Sequence, residues 1–100
     1  MIIEDIKLVP ADKYLFVQVH TDAGIVGLGE IGAWGFLDAT AGAIEKFKKY
    51  LLKQDPMKIE HHWQYMYRSL FFRGSIIQSA ISAIDIALWD IKGKHLGVPV

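Results

Sequence analysis

The sequence predicts an α+β domain: a three-stranded antiparallel meander followed by a three-helix bundle. Three observations carry this. Short alternating segments rich in β-branched residues fill the first third, and apolar residues at helical spacing fill the rest. A hairpin turn joins the second and third segments, so the strands neighbour one another in sequence rather than alternating with helices.

Ile2 to Val9 reads as the first strand, with Ile2, Ile6 and Leu8 on one face and Asp5 and Lys7 on the other. Pro10 is expected to end it, because proline has no N–H for a ladder. Tyr14 to Thr21 follows, with Leu15, Val17 and Val19 alternating with Phe16, Gln18 and His20. Asp22-Ala23-Gly24 makes a three-residue turn, with Gly24 suited to a left-handed conformation. The third strand, Ile25 to Ile31, places Val26 and Leu28 on one face and only Gly27 and Gly29 on the other, which allows close approach there. Ile31 to Leu37 is then a glycine-punctuated loop carrying Trp34 and Phe36.

The first helix is expected from about Asp38 to Lys53, with Ile44, Phe47 and Leu51 as its apolar stripe and lysines suiting its C-terminal dipole. Asp55-Pro56 reads as N-cap and first residue of the second helix, which carries Ile59, Trp63, Met66 and Leu70 until Phe71-Phe72-Arg73-Gly74 breaks it. Ser75 and Gln78 have capping-box spacing. The third helix, to about Lys92, is apolar nearly all round, so it is expected to be buried on more than one side and to meet a surface these 100 residues do not supply.

Composition bounds the chemistry. One hundred residues are enough for a single domain, and a chain of that length buries roughly two-thirds of its unfolded surface. Eleven Lys plus Arg balance eleven Asp plus Glu, which argues against nucleic acid as a partner. The longest uncharged run, Gly74 to Ile84, is eleven residues, too short to span a bilayer, so no membrane partner is expected. There is no cysteine and so no disulfide or thiolate metal site, and the acidic Met-Ile-Ile-Glu-Asp start is unlike a secretory leader. A cytoplasmic location is expected.

Gly27-x-Gly29-x-x-Gly32 matches the dinucleotide fingerprint in letters but not in setting, since a hairpin precedes it and no parallel βαβ unit surrounds it. It reads as sheet geometry. His61 and His62 are adjacent on a helix, about 100° apart, and lack a third ligand; they read as a solvated face. Asp85 lies inside the apolar helix, where a carboxylate needs a partner, and is expected to accept hydrogen bonds across a helix contact. Asp90 is expected to pair with Lys94 one turn on. Arg73, between aromatics and a glycine, could bind an acid group. These residues form no catalytic set by themselves.

Ser79-Ala-Ile-Ser-Ala-Ile-Asp-Ile-Ala-Leu-Trp-Asp-Ile-Lys-Gly-Lys94, followed by Leu96-Gly-Val-Pro-Val100, resembles the N-terminal capping domain of the enolase superfamily, in its mandelate racemase and muconate lactonising branch. Asp22-Ala-Gly-Ile-Val-Gly-Leu-Gly-Glu30 resembles that domain's hairpin, and Asp55-Pro56 with Ile59 to Arg68 its second helix. Trp63-Gln64 with Phe71-Phe72-Arg73-Gly74 is most similar to the sugar-acid dehydratases of the galactonate and mannonate kind.

The resemblance implies a cap for a C-terminal (β/α) barrel that is expected after residue 100 and is absent from this chain. In the family the barrel holds Mg²⁺ on three carboxylates, and a Lys or His removes the proton alpha to a substrate carboxylate. In a dehydratase a general acid then expels the β-hydroxyl. Implied partners are a small carboxylate such as a sugar acid, the chain's own barrel and further copies of itself in a homo-oligomer. The cofactor is Mg²⁺ held by the barrel rather than by these residues, so the 100 residues alone are expected to be inactive.

The family's two closing loops correspond to Val9–Lys13 and Ile31–Leu37, which makes Asp12, Lys13, Trp34 and Phe36 the candidates for facing substrate. Two other readings compete: a stand-alone, non-enzymatic interaction module using the third helix and the aromatic loop, and a small dinucleotide-binding domain.

Overall fold

The computed structural model describes residues 1–12, 14–31, 37–68 and 74–99. Three antiparallel strands in the order β1-β2-β3 precede three helices. The elements are β1 (Ile3–Ala11), β2 (Tyr14–Thr21), β3 (Val26–Ile31), α1 (Leu37–Leu51), α2 (Ile59–Arg68) and α3 (Ser75–Leu96). This is the predicted α+β architecture.

The sheet departs from the sequence reading in two places. Ile3, not Ile2, is buried beside Ile6, because the register slips between Ile3 and Asp5. Such a bulge takes one residue out of alternation, so two core residues three apart can share a face. Pro10 does not end β1; it pairs with Leu15. β1 is an edge strand, where a residue without an N–H is tolerated. In β2 the alternation holds, with Leu15, Val17 and Val19 buried.

Both hairpins are tight. Asp12 follows the Ala11–Tyr14 pair with φ of 57°, the left-handed setting that a two-residue turn requires at its first position. In the second hairpin Gly24 has φ of 77°, and Thr21 closes the loop by donating its hydroxyl to the Ile25 carbonyl at 2.8 Å.

α1 buries Thr40, Ala43, Ile44, Phe47 and Leu51. Its end is tied to β1: Lys53 donates its amide to the Ile3 carbonyl at 2.8 Å, and the Ile3 amide reaches the Gln54 carbonyl at 2.9 Å. Asp55-Pro56 does not open α2, which starts at Ile59. Asp55 instead closes a turn, accepting the Met57 amide on Oδ1 at 2.9 Å and the Lys58 amide on its carbonyl at 3.3 Å. An aspartate that satisfies its own following amides this way stabilises a turn rather than a helix start. Trp63 is only partly buried, and His62 takes the core position beside Met66; Leu70 lies outside the described residues.

Ser75 is the first helical residue of α3, with Gly74 before it as the N-cap, so Ser75 and Gln78 stand one position too late for a capping box. Nor does α3 stop at Lys92. It continues through a buried Gly93 to Leu96, where Gly97 (φ 71°) turns the chain and the Val98 amide bonds the Gly93 carbonyl at 2.9 Å. That left-handed glycine is the real terminator.

α3 lies along β3, and Gly27 and Gly29 permit it. A β-carbon on Gly27 would collide with the Ala87 carbonyl and the Ile91 side chain, and one on Gly29 with the Ala83 backbone. Ala80, Ile81, Ala83, Ile84, Ala87, Leu88 and Ile91 then fill the core against Ile6, Val17, Val19, Ile44 and Phe47.

Candidate functional site

The strand register settles where the two predicted closing loops begin. Leu15 pairs with Pro10 on one side and with Ile31 on the other, so these three residues form one row across the sheet. The Asp12 turn and the exit of β3 therefore lie at the same end of the sheet, the end from which the chain passes to α1. Asp12 is exposed there, held by its left-handed backbone. Lys13, Trp34, Phe36 and Arg73 lie outside the described residues.

The opposite end of the sheet is fastened down. Asp22 accepts the Ile2 amide at 2.9 Å and donates its own amide to the Ile2 carbonyl at 3.0 Å. Asp5 pairs with Lys48 of α1 at 3.0 Å. Hydrogen bonding to that ammonium draws the Asp5 carboxyl below the usual carboxylate range and pushes Lys48 up.

α3 leaves apolar surface uncovered by the described residues. Ile86 is 50% exposed and Trp89 42%, and they share one side of the helix at a spacing of three. Lys92 sits over the Trp89 ring at 5.0 Å. Asp85, next to Ile86, has no hydrogen-bond donor among the described residues. Burial raises its pKa, and the charge of Glu60 on α2 adds to the effect.

The two histidines part company. His61 is exposed and lines a shallow open groove with Gln64, Tyr65 and Arg68. Its neighbour His62 is fully buried, which corrects the solvated reading. His62 Nε2 lies 2.7 Å from the Asp55 carbonyl and Nδ1 2.8 Å from the Tyr50 hydroxyl. A carbonyl only accepts, so Nε2 carries the proton and Tyr50 donates to Nδ1. Burial lowers the His62 pKa and raises that of Tyr50, whose ring also stacks on Tyr65 at 3.7 Å. Sequence reasoning missed this junction because Tyr50 and His62 belong to different helices; the helical spacing of His62 to Met66 was the available signal.

The remaining candidates resolve simply. Gly27 and Gly29 are covered by α3, which removes the phosphate-loop reading. Asp90 and Lys94 pair as expected, at 3.0 Å. Among the described residues no three His, Asp or Glu converge as a metal ion would require, so they do not fit a Mg²⁺ site. No described helix is long and apolar enough to cross a membrane.

Comparison with known proteins agrees with this geometry. The D-galactonate dehydratase of Verminephrobacter eiseniae is 46% identical over 89 residues, covering 88% of this chain and 23% of that protein. A solved enolase-superfamily member from Salmonella Typhimurium superposes with a TM-score of 0.88 at 35% identity, over 94% of this chain and 26% of that one. An enolase from Pantoea ananatis, solved with bound D-gluconate and Mg, gives 0.88 at 33% identity, over 95% of this chain and 25% of that one. The chain thus spans about a quarter of the length of the relatives it matches. Residues 5–100 match the family model of the mandelate racemase / muconate lactonizing enzyme N-terminal domain, and with the strand order, the helix order and these relatives the conclusion is direct: the chain belongs to that family.

Proposed function

We propose that this domain caps the active site of a Mg²⁺-dependent enolase-superfamily enzyme that dehydrates a sugar acid, with D-galactonate the first candidate substrate. The observation that carries the reading is the common origin of the two loops. The Asp12 turn and the segment after Ile31 leave the same end of the sheet, as two flaps over one mouth would. The similarity to D-galactonate dehydratase supports the substrate class.

The catalytic residues, the Mg²⁺ ligands and the proton-abstracting base belong to a barrel that follows this domain in the longer protein. When bound there, Mg²⁺ stabilises the negative charge formed as the proton alpha to the carboxylate leaves. Asp12, Lys13, Trp34 and Phe36 supply what the cap contributes: polar contacts from the hairpin tip, and apolar cover that excludes water and holds the sugar acid in place. The exposed Ile86 and Trp89 of α3 pack against the barrel or its neighbour, which favours a cap over a stand-alone module.

The test is steady-state kinetics of the longer enzyme on D-galactonate and related sugar acids with Mg²⁺. Trp34→Ala and Phe36→Ala are expected to lower kcat/KM by about tenfold or more, the effect of losing an apolar contact to substrate. Wild-type kinetics in both variants would exclude the loop from the site.

A further inference from the structure

β2 occupies one edge of β3, and among the described residues no strand occupies the other. An open edge of this kind presents free N–H and C=O groups that invite another chain. Here two of them are already taken, and by side chains from a helix. The Leu28 amide donates to Asp90 Oδ2 at 2.9 Å, and Lys94 Nζ donates to the Val26 carbonyl at 2.6 Å. The same two side chains bond each other at 3.0 Å.

The geometry has a specific counterpart. In a parallel ladder, one residue of the incoming strand accepts from the N–H of residue i+1 and donates to the C=O of residue i−1. For i equal to Gly27, those groups are the Leu28 amide and the Val26 carbonyl. Asp90 supplies the acceptor, Lys94 the donor, and their ion pair joins the two as one residue would. The glycines of β3 let α3 lie close enough for side chains one turn apart to reach both groups.

We propose that Asp90 and Lys94 hold the free edge of β3 closed against a fourth strand, and that the strand they exclude is β3 of a second copy of this chain. The setting makes the exclusion necessary: Leu28, whose amide Asp90 holds, is 46% exposed, so the edge that the pair guards carries an apolar side chain not covered by the described residues. Hydrogen bonding rather than charge is the operative feature, because both side chains are partly solvated and an exposed ion pair by itself contributes little.

Sedimentation across a concentration series tests this on the protein bearing Asp90→Ala and Lys94→Ala, both helix-compatible changes. The expected result is a mass that climbs with concentration to about twice that of the parent. In dilute solution the Leu28 amide should exchange with solvent about tenfold faster. The Asp90→Asn, Lys94→Gln variant keeps an acceptor and a donor without charge and should sediment like the parent. A double-alanine variant with the parent's mass at every concentration overturns the proposal, as does association of the neutral pair. Should circular dichroism show the double-alanine protein unfolded, Asp90→Ala alone takes its place: a mass that climbs with concentration supports the proposal, and the parent's mass throughout overturns it.

Discussion

The backbone of Gly29 rests directly against the backbone of Ala83, leaving no room for a β-carbon between strand and helix. Gly27 meets Ala87 in the same way one turn further along α3. Two glycines at a spacing of two on the strand face two alanines at a spacing of four on the helix, and the core forms around that close contact. Gly29→Ala must push backbone away from backbone, so it is expected to cost about 3 kcal/mol or more, the upper part of the range for overpacked cores. Chemical denaturation measures it; a cost within experimental error would show that the helix can lift off the sheet freely.

His62 makes stability depend on pH. In the unfolded chain an imidazole binds a proton near pH 6.5, whereas burial depresses the folded-state pKa. His61 and Lys58 lower it further, while the Asp55 carbonyl and carboxylate and the Tyr50 side chain are the other groups facing the ring. The unfolded state therefore takes up the proton first. This contribution to stability is complete above about pH 6.5. It declines as pH falls from there and is exhausted below the folded-state pKa. Denaturation midpoints from pH 7.5 to 5 should fall in the wild type and fall less in His62→Gln. Equal slopes would contradict the assignment.

Tyr50→Phe removes the donor to His62 Nδ1 and leaves a buried nitrogen unsatisfied. A loss of about 1–2 kcal/mol is expected. Tyr65→Ala removes only the stacked ring beside Tyr50 and should cost less, which calorimetry of the two variants decides.

Lys53, two residues beyond the end of α1, has φ of 69°, a left-handed conformation that disfavours a side chain. Its amide still bonds the Ile3 carbonyl, and glycine would keep that bond. Lys53→Gly is expected to stabilise the domain by about 0.5–1 kcal/mol, the relief of left-handed strain less the extra entropy of an unfolded glycine. A lower melting temperature would mean that the lysine side chain contributes more than its backbone costs.

Asp85 carries the opposite pH signature to His62. Its folded-state pKa is raised, so the folded state holds its proton to higher pH than the unfolded chain does. Stability from this group falls as pH rises from about 3.8, the ordinary aspartate value, through the raised pKa. Asp85→Asn should raise the denaturation midpoint at pH 7 and change it little at pH 3. A lower midpoint at pH 7 would identify a cation that pairs with the carboxylate.

Most of the architecture was legible because it rests on local chemistry. Alternation placed Leu15, Val17 and Val19 in the core, and Asp22-Ala23-Gly24 closed its hairpin as a left-handed glycine allows. What failed did so where distant contacts override local signals. Pro10 continues a strand because that strand lies at an edge, and Gly93 continues a helix because its capping glycine comes four residues later. His62 was misplaced because nothing adjacent in sequence announces Tyr50. The role of Asp90 was half legible: its helical spacing from Lys94 revealed the ion pair, but only the fold shows that both reach the backbone of β3. The candidate loop residues rest on family resemblance alone, while the common end of the sheet from which the two loops depart follows from strand register.

The proposed role of this domain, a cover over the active site of a sugar-acid dehydratase, is tested most directly by product analysis. The longer enzyme, incubated with Mg²⁺ and D-galactonate, should release water and form the 2-keto-3-deoxy acid, and Trp34→Ala should slow that reaction about tenfold or more at low substrate. No turnover of any sugar acid, or a Trp34→Ala enzyme with the wild-type rate, would contradict the account.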